Sequence, residues 1–479
     1  PGDAARRPLR RRAHGAPPRE ADLPTVTVQL PLYNELYVAR RLIDAVCRLD
    51  WPREKLEVQV LDDSTDETVE VAAAAVAHHR AQGVRVEHLR RADRTGFKAG
   101  ALAAGAARAG GELVAVFDAD FVPGPDFLRR VVPSFADPAV GMVQARWEHL
   151  NRDASLLTRV QATLLDGHFV VEHTARHRGG CFFNFNGTAG VWRRRAIEDA
   201  GGWQHDTLTE DLDLSYRAQL AGWRFVYLPE VTVPAELPVD VAGFKSQQAR
   251  WAQGAMQTGR KLLGRILAAP LPWRVRAEAA VHLTNNVAYP LMVALSLLLF
   301  PAMVLRRGSA VPILLAVDLP LFLAATASVV AFYLAAQAGA GHGGWRALLH
   351  LPALMATGIG LSASNAGAVL TGLVRPGGTF VRTPKHALAA GERPSAAGWA
   401  TRRYRSPRGR SVLLEGALAA YLALCIGLAL AWGMWASLPF LWLFFQGYAF
   451  VFWLSVAPEG LAWRRPGGWR RRRRGPEPA

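Results

Sequence analysis

The sequence predicts an α/β domain built on a parallel sheet, followed by an α-helical transmembrane region. Three observations predict it. Between residues 26 and 118, apolar strand-like runs alternate with amphipathic stretches, the pattern of strands and helices covering both faces of a parallel sheet. Past residue 280, four runs (about 280–305, 311–337, 412–434 and 437–457) reach the roughly 20 apolar residues that a bilayer span needs. The apolar run Leu113–Phe117 ends in Asp118-Ala119-Asp120-Phe121, and open sheets of this kind bind ligands beyond the carboxyl ends of their strands.

Composition agrees with that division. The chain has 479 residues, 51% of them hydrophobic, and the long apolar stretches lie after residue 270. Its net charge of +17 comes largely from arginines at the two ends and in the 375–410 loop, which suits an anionic membrane face or a nucleic acid. The terminal arginine runs lack interleaved aromatics apart from Trp463 and Trp469, so nucleic acid is not an expected partner. Three separated cysteines, Cys47, Cys181 and Cys425, offer no disulfide framework or zinc spacing. Neither a G-x-G-x-x-G nor a P-loop pattern occurs, which argues against a dinucleotide enzyme or a P-loop NTPase.

Taken in order, residues 1–22 read as a basic flexible arm. Val26–Leu30 is the first strand, and Pro31-Leu32-Tyr33-Asn34-Glu35 leads into an amphipathic helix over about 38–49. Leu56–Leu61 is the second strand, ending in Asp62-Asp63-Ser64-Thr65-Asp66, where Ser64 or Thr65 can cap the next helix. Val84–Leu89 is the third strand. An alanine-rich helix follows Gly96-Phe97-Lys98, and the fourth strand ends at Asp118. Two carboxylates one residue apart can share a divalent cation with a diphosphate, because Mg2+ and Mn2+ favour oxygen ligands and keep substrate phosphates in their shell. A lone D-x-D is also common in solvated turns. Further on, Asp211 opens a helix over Leu212–Leu220, where the helix N-terminus favours an ionised acid. Trp251 is either a membrane-interface anchor or a platform under a sugar ring.

Basic loops stay on the cytoplasmic side. The arginines and lysine of 375–410 therefore put that loop beside the 23–270 domain, which requires an even number of crossings before it. The polar apolar-mixed stretch 348–373 then reads as interfacial, giving four spans in a 271–460 membrane region, a gating-type loop at 374–411 and a basic tail at 461–479.

Several stretches together resemble the processive family 2 glycosyltransferases, nearest to the cellulose synthase-like A and C type (mannan and glucan backbone synthases) and their bacterial relatives. They are Val58–Asp66, Gly96–Leu102, Phe117–Phe121, Val143–Trp147, Phe185–Trp192, Thr209-Glu210-Asp211 and Gln247–Trp251, with a weaker match at Phe380–Lys385. The resemblance covers about residues 26–265. It implies a GT-A-type (Rossmann-like) glycosyltransferase domain with Mg2+ or Mn2+ as cofactor, a nucleotide-sugar donor such as UDP-glucose or GDP-mannose, and inversion at the anomeric carbon. It implies a catalytic base at Asp211 and a cation at Asp118 and Asp120. Donor binding falls to Pro31, Tyr33, Glu35, Asp62, Asp63, Lys98, Asp118, Asp120, Gln247 and Arg250. Acceptor binding falls to Trp251, Glu210, Gly187 and Thr188, and Phe380, Thr383 and Lys385 form a gating loop. The expected acceptor is a growing β-linked polysaccharide. A glycolipid acceptor taking one sugar is the alternative, and a non-enzymatic basic membrane scaffold a second. The expected location is a bacterial-type inner membrane, multi-pass, with the catalytic domain cytoplasmic.

Overall fold

The computed structural model describes residues 20–305, 316–317, 319–343, 348–387, 404, 409 and 411–457. Most of the basic arm, the loop beyond residue 387 apart from Tyr404 and Gly409, and the basic tail lie outside the described residues.

A seven-stranded mixed sheet organises the first 270 residues. In chain order the strands are β1 (Val26–Leu32), β2 (Leu56–Asp62), β3 (Val86–Leu89), β4 (Leu113–Val116), β5 (Val140–His149), β6 (Gly190–Arg193) and β7 (Arg224–Ala235). Their spatial order is β3-β2-β1-β4-β6-β5-β7. The first four run parallel, with Val28 opposite Val58 and Val26 opposite Leu113. This half is the expected parallel sheet. The whole sheet is not parallel: β6 is antiparallel to both β4 and β5. A four-residue strand carries too little period for the sequence to show its direction.

The helices of this domain are α1 (Ala39–Val46), α2 (Thr68–Ala81), α3 (Phe97–Ala106), α4 (Phe127–Val131), α5 (Leu156–Asp166), α6 (Thr174–Gly179), α7 (Arg194–Asp199), α8 (Glu210–Leu220) and α9 (Val241–Ala268). Leu42 and Ile43 of α1 and Val76 of α2 pack with Val28 and Val58 on one sheet face. Leu102 of α3, Ile197 of α7 and Leu214 of α8 pack with Val114, Val116 and Met142 on the other. Burying apolar side chains of this size stabilises by about 1.5–3 kcal/mol each, so both faces hold the sheet. Neither Ser64 nor Thr65 caps α2. The Thr68 amide donates to Asp66 Oδ1, while Ser64 Oγ accepts from the Asn34 amide and ties the two strand-end turns together.

Among the described residues six further helices follow: α10 (Trp273–Thr284), α11 (Ala288–Leu305), α12 (Leu319–Gly339), α13 (Leu351–Val374), α14 (Ser411–Ala431) and α15 (Leu438–Val456). Among the described residues, five helical stretches are long and apolar enough to cross a membrane by length and composition, α13 included. Yet both ends of α13 touch the sheet domain. Leu351 and Leu354 cluster with Val160 of α5, and Gly372 lies against the backbone of Gln253 in α9. Lys245 of α9 forms a buried ion pair with Glu415 of α14, near Ser455 of α15. Gln337 of α12 exchanges hydrogen bonds with Asp166 and Arg152.

Candidate active site

One cleft opens above the carboxyl ends of β1, β2 and β4, enclosing about 1270 Å3 with its open mouth included. The β1–α1 turn supplies Pro31, Tyr33 and Glu35. Asp63 enters one residue past β2, Lys98 from the first turn of α3, and Asp118 and Asp120 just past β4. Gly187 precedes β6, Glu210 and Asp211 open α8, and Gln247, Arg250 and Trp251 share one face of α9. Phe380, Thr383 and Lys385 close it from the loop after α13.

Two glycines make that convergence possible. Gly187 has φ +79°, and a Cβ there would lie 2.8 Å from Asp211 Oδ2. Gly254 lets α9 approach the start of α8, since a Cβ there would meet Thr209 Cγ2 at 2.5 Å. Both fix the distance between Asp211 and its neighbours.

The acids are held by cations. Lys98 Nζ lies 2.6 Å from Asp118 Oδ1, donates to the Gly187 carbonyl at 2.8 Å, and lies 3.8 Å from Glu210. Lys385 Nζ lies 2.8 Å from Asp120 Oδ2, and Arg382 Nη1 lies 3.6 Å from Glu35 Oε2. Arg91 grips both oxygens of Asp63. Burial pushes the Asp211 carboxyl up to about 7, with Glu210 beside it adding to the rise and Lys98 opposing it. Burial likewise raises Glu35 to about 8. Burial acts against Lys98, yet its acid neighbours outweigh it and hold the ammonium above its ordinary range. Aromatic contacts bridge the mouth: Arg94 stacks 3.2 Å over the Tyr33 ring, Phe97 faces Phe380 at 6.1 Å, and Arg250 lies 4.4 Å over Phe380.

Two expected site residues are not on the cleft. Asp62, last in β2, is buried, with Oδ1 accepting from the Ser64 amide and Oδ2 bonded to His88 at 2.8 Å. It shapes the turn that presents Asp63, which corrects its expected role in donor binding. Thr188 is buried too, and its Oγ1 accepts from the Asp118 amide at 2.9 Å. It positions the D-x-D, which corrects its expected place at the acceptor end.

The cleft also contains residues the sequence reading did not single out: Arg94, Trp147, His149, Asn186, Glu236 and Arg382. Trp147 and Asn186 lie inside quoted motifs, and Arg382 inside the weaker loop match, so position alone could have found those three. Glu236 follows β7, a strand that the sequence reading did not place.

Parallel strands with acids at their ends, an acid at a helix start and a cation-lined mouth are the arrangement of a GT-A-like domain. Residues 24–254 match the family described as "Glycosyltransferase like family 2". Over 300 residues the chain is 42% identical to a probable glucomannan 4-beta-mannosyltransferase 7 of Oryza sativa subsp. japonica, covering 58% of this chain and 51% of the relative. Over 252 residues it is 44% identical to glucomannan 4-beta-mannosyltransferase 2 of Arabidopsis thaliana, covering 52% and 47%. The chain thus spans about half the length of the curated relatives it matches. A solved structure, mannosyltransferase PcManGT from Pyrobaculum calidifontis in complex with GDP-Man and Mn2+, shares the fold, with a TM-score of 0.50, 24% identity, and coverage of 77% of this chain and 92% of that one. Residues 24–254 thus match a family 2 glycosyltransferase model, and the aligned stretch is similar to glucomannan 4-beta-mannosyltransferases. Both curated relatives are plant proteins, so they lend no support to a bacterial-type inner membrane.

Proposed function

We propose that the protein transfers a hexose from a nucleotide-sugar to the end of a growing β-linked polysaccharide, with inversion. GDP-mannose leads as donor because relatives at 42% and 44% identity are named mannosyltransferases, and UDP-glucose is second. The observation that carries this reading is the convergence of Asp63, Asp118, Asp120, Asp211, Gln247, Arg250 and Trp251, distant in the chain, around one cleft.

In this reading Asp63 meets the nucleoside and Tyr33 flanks it. Asp118 and Asp120 fit a divalent cation: they offer hard oxygen donors, and substrate phosphate would complete the shell. Mg2+ or Mn2+ held there would stabilise the charge that builds on the departing diphosphate. Lys98 and Arg250 add positive charge on the same side. Trp251 offers a ring face to the acceptor's terminal sugar, with Glu210 and Gly187 beside it. Asp211, its proton affinity matched to neutral pH, takes the proton from the attacking hydroxyl. No acid is needed for the leaving group, since a diphosphate leaves as an anion. Direct displacement converts an α-linked donor into a β-linked product.

The catalytic domain faces the cytoplasm in this reading. Crossings by the 273–305 helix, α12, α14 and α15 leave α13 along the membrane surface, which is supported by its contacts with the domain at both ends. The spans would guide a polymer too polar to cross lipid unaided.

The test is a donor screen on the purified chain in lipid discs, with radiolabelled GDP-mannose and UDP-glucose and an oligosaccharide acceptor. A β-linked polymer labelled from one donor is expected. A single labelled glycolipid, or no transfer from any donor, overturns the reading.

A further inference from the structure

Beside the cleft, three polar side chains follow one another, and the transfer reading above gives none of them a role. Asn186 lines the cleft one residue before Gly187, the glycine packed against Asp211. Its backbone is fixed, since the amide donates to Gln144 Oε1 at 3.0 Å. Its side chain is fixed as well. Nδ2 lies 2.9 Å from His168 Nε2, and His168 Nδ1 lies 3.1 Å from Glu172 Oε2. Arg176 Nη1 lies 3.3 Å from the same Glu172 oxygen.

These contacts decide which way the Asn186 amide is turned. Arg176 favours the ionised form of Glu172, and a carboxylate can only accept. The His168 proton therefore sits on Nδ1. An imidazole that holds its single proton there accepts at Nε2, so the group facing it is the Asn186 NH2. The other end of the amide, Oδ1, is left buried with no hydrogen-bond partner among the described residues. An orphaned buried acceptor is costly, so a ligand hydroxyl that meets it binds with a gain. His168 and Glu172 both belong to a π-helical turn, Gly167–His173, between α5 and α6. Such turns are rare and are found often at functional sites. Gly167 lets α12 press on this turn, since a Cβ there would stand 2.7 Å from Phe332 Cε1.

We propose that Asn186 Oδ1 accepts a hydrogen bond from a hydroxyl of the acceptor's terminal sugar, and that His168, held by Glu172, is the positioning residue that keeps this oxygen available. The inference rests on the sugar-transfer reading above. Asn186 belongs to the acceptor rather than the donor because its neighbour Gly187 abuts Asp211, the residue given the acceptor's proton.

The test is steady-state kinetics of the full chain in lipid discs, with cellotetraose and mannotetraose as acceptors and saturating labelled GDP-mannose or UDP-glucose. His168→Leu should raise the acceptor KM about tenfold, the scale of one such hydrogen bond, and leave donor affinity, read by calorimetry, within about twofold. His168→Gln, whose amide oxygen can still accept from Asn186, should recover most of that loss. Asn186→Ala should raise the acceptor KM as much as His168→Leu does. Adding His168→Leu to Asn186→Ala should cost nothing more, because the histidine acts through the amide. An unchanged acceptor KM in Asn186→Ala, additive losses in the double variant, or a loss confined to donor affinity overturns the proposal and leaves the transferase reading standing. A wild-type chain that transfers to neither acceptor from either donor overturns that reading, and this proposal with it.

Discussion

Lys385 places its ammonium 2.8 Å from Asp120 Oδ2, on the carboxylate that the transferase reading gives to a divalent cation. Both side chains are about nine-tenths buried, so the pair is little screened. The loop lysine and the cation thus compete for one acid. Lys385→Met should tighten Mn2+ binding to the donor-free protein by about tenfold, the scale of one lost competing ion pair. Spin-resonance titration of free Mn2+ checks this, and equal affinities would show that Lys385 does not compete.

The protonation of Asp211 sets an acid limb on activity. Its folded pKa is raised to about 7, so the base is protonated and idle below that pH. We expect kcat/KM to fall about tenfold per pH unit below 7 and to level off above it. Glu210 contributes to the rise, so Glu210→Gln should move the limb to lower pH. A pH–rate profile with and without that substitution checks both signs.

Gly187 allows Asp211 its position. A Cβ at 187 would stand 2.8 Å from Asp211 Oδ2 and 3.2 Å from Lys98 Nζ, at φ +79°. Gly202 has a similar φ of +70° with nothing within 4 Å of a Cβ. Each Gly→Ala change should cost about 1–2 kcal/mol of stability from the left-handed backbone. Only Gly187→Ala should also lose transfer, by roughly a hundredfold, the scale set by misplacing a reacting group. Melting curves and rates on the two variants separate strain from misplacement.

The Lys245–Glu415 pair links α9, which carries Gln247 to Trp251, to α14. The pair is buried, with Lys245 8% and Glu415 0% exposed. Removing one partner, as in Glu415→Gln, should destabilise by about 3–5 kcal/mol, whereas Lys245→Met with Glu415→Leu should cost far less. Thermal unfolding of the chain in lipid discs measures both.

Much of this site was legible in the sequence because strand ends and helix starts announce themselves. Asp118, Asp120 and Asp211 each follow an apolar run or precede an amphipathic one, and an ordered set of such acids is specific. Asp62 and Asp63 show where that logic stops. Side chains alternate across a strand, so one residue decides which acid faces the cleft, and sequence resolves strand ends no better than that. Asp62 closes β2 and turns inward to His88, and Asp63 leaves the strand for the cleft. Thr188 was misjudged similarly, because a hydroxyl inside a matched motif can serve the backbone of its neighbour rather than a ligand. Glu236 was out of reach, since it gains its meaning from a segment far away: it receives the His386 amide at 2.7 Å. β6 was hidden for want of length. The antiparallel return it makes is what sets Gly187 and Thr188 against the D-x-D.

Asp211 is proposed as the base of a transfer centre whose donor site it does not itself build. The measurement that tests it most directly is a paired one on Asp211→Asn: donor affinity by calorimetry, and the rate of sugar transfer to an oligosaccharide acceptor. Donor affinity should stay within about twofold of wild type while transfer slows by about 10²–10⁴-fold, the usual contribution of a positioned general base. Transfer at the wild-type rate would contradict it.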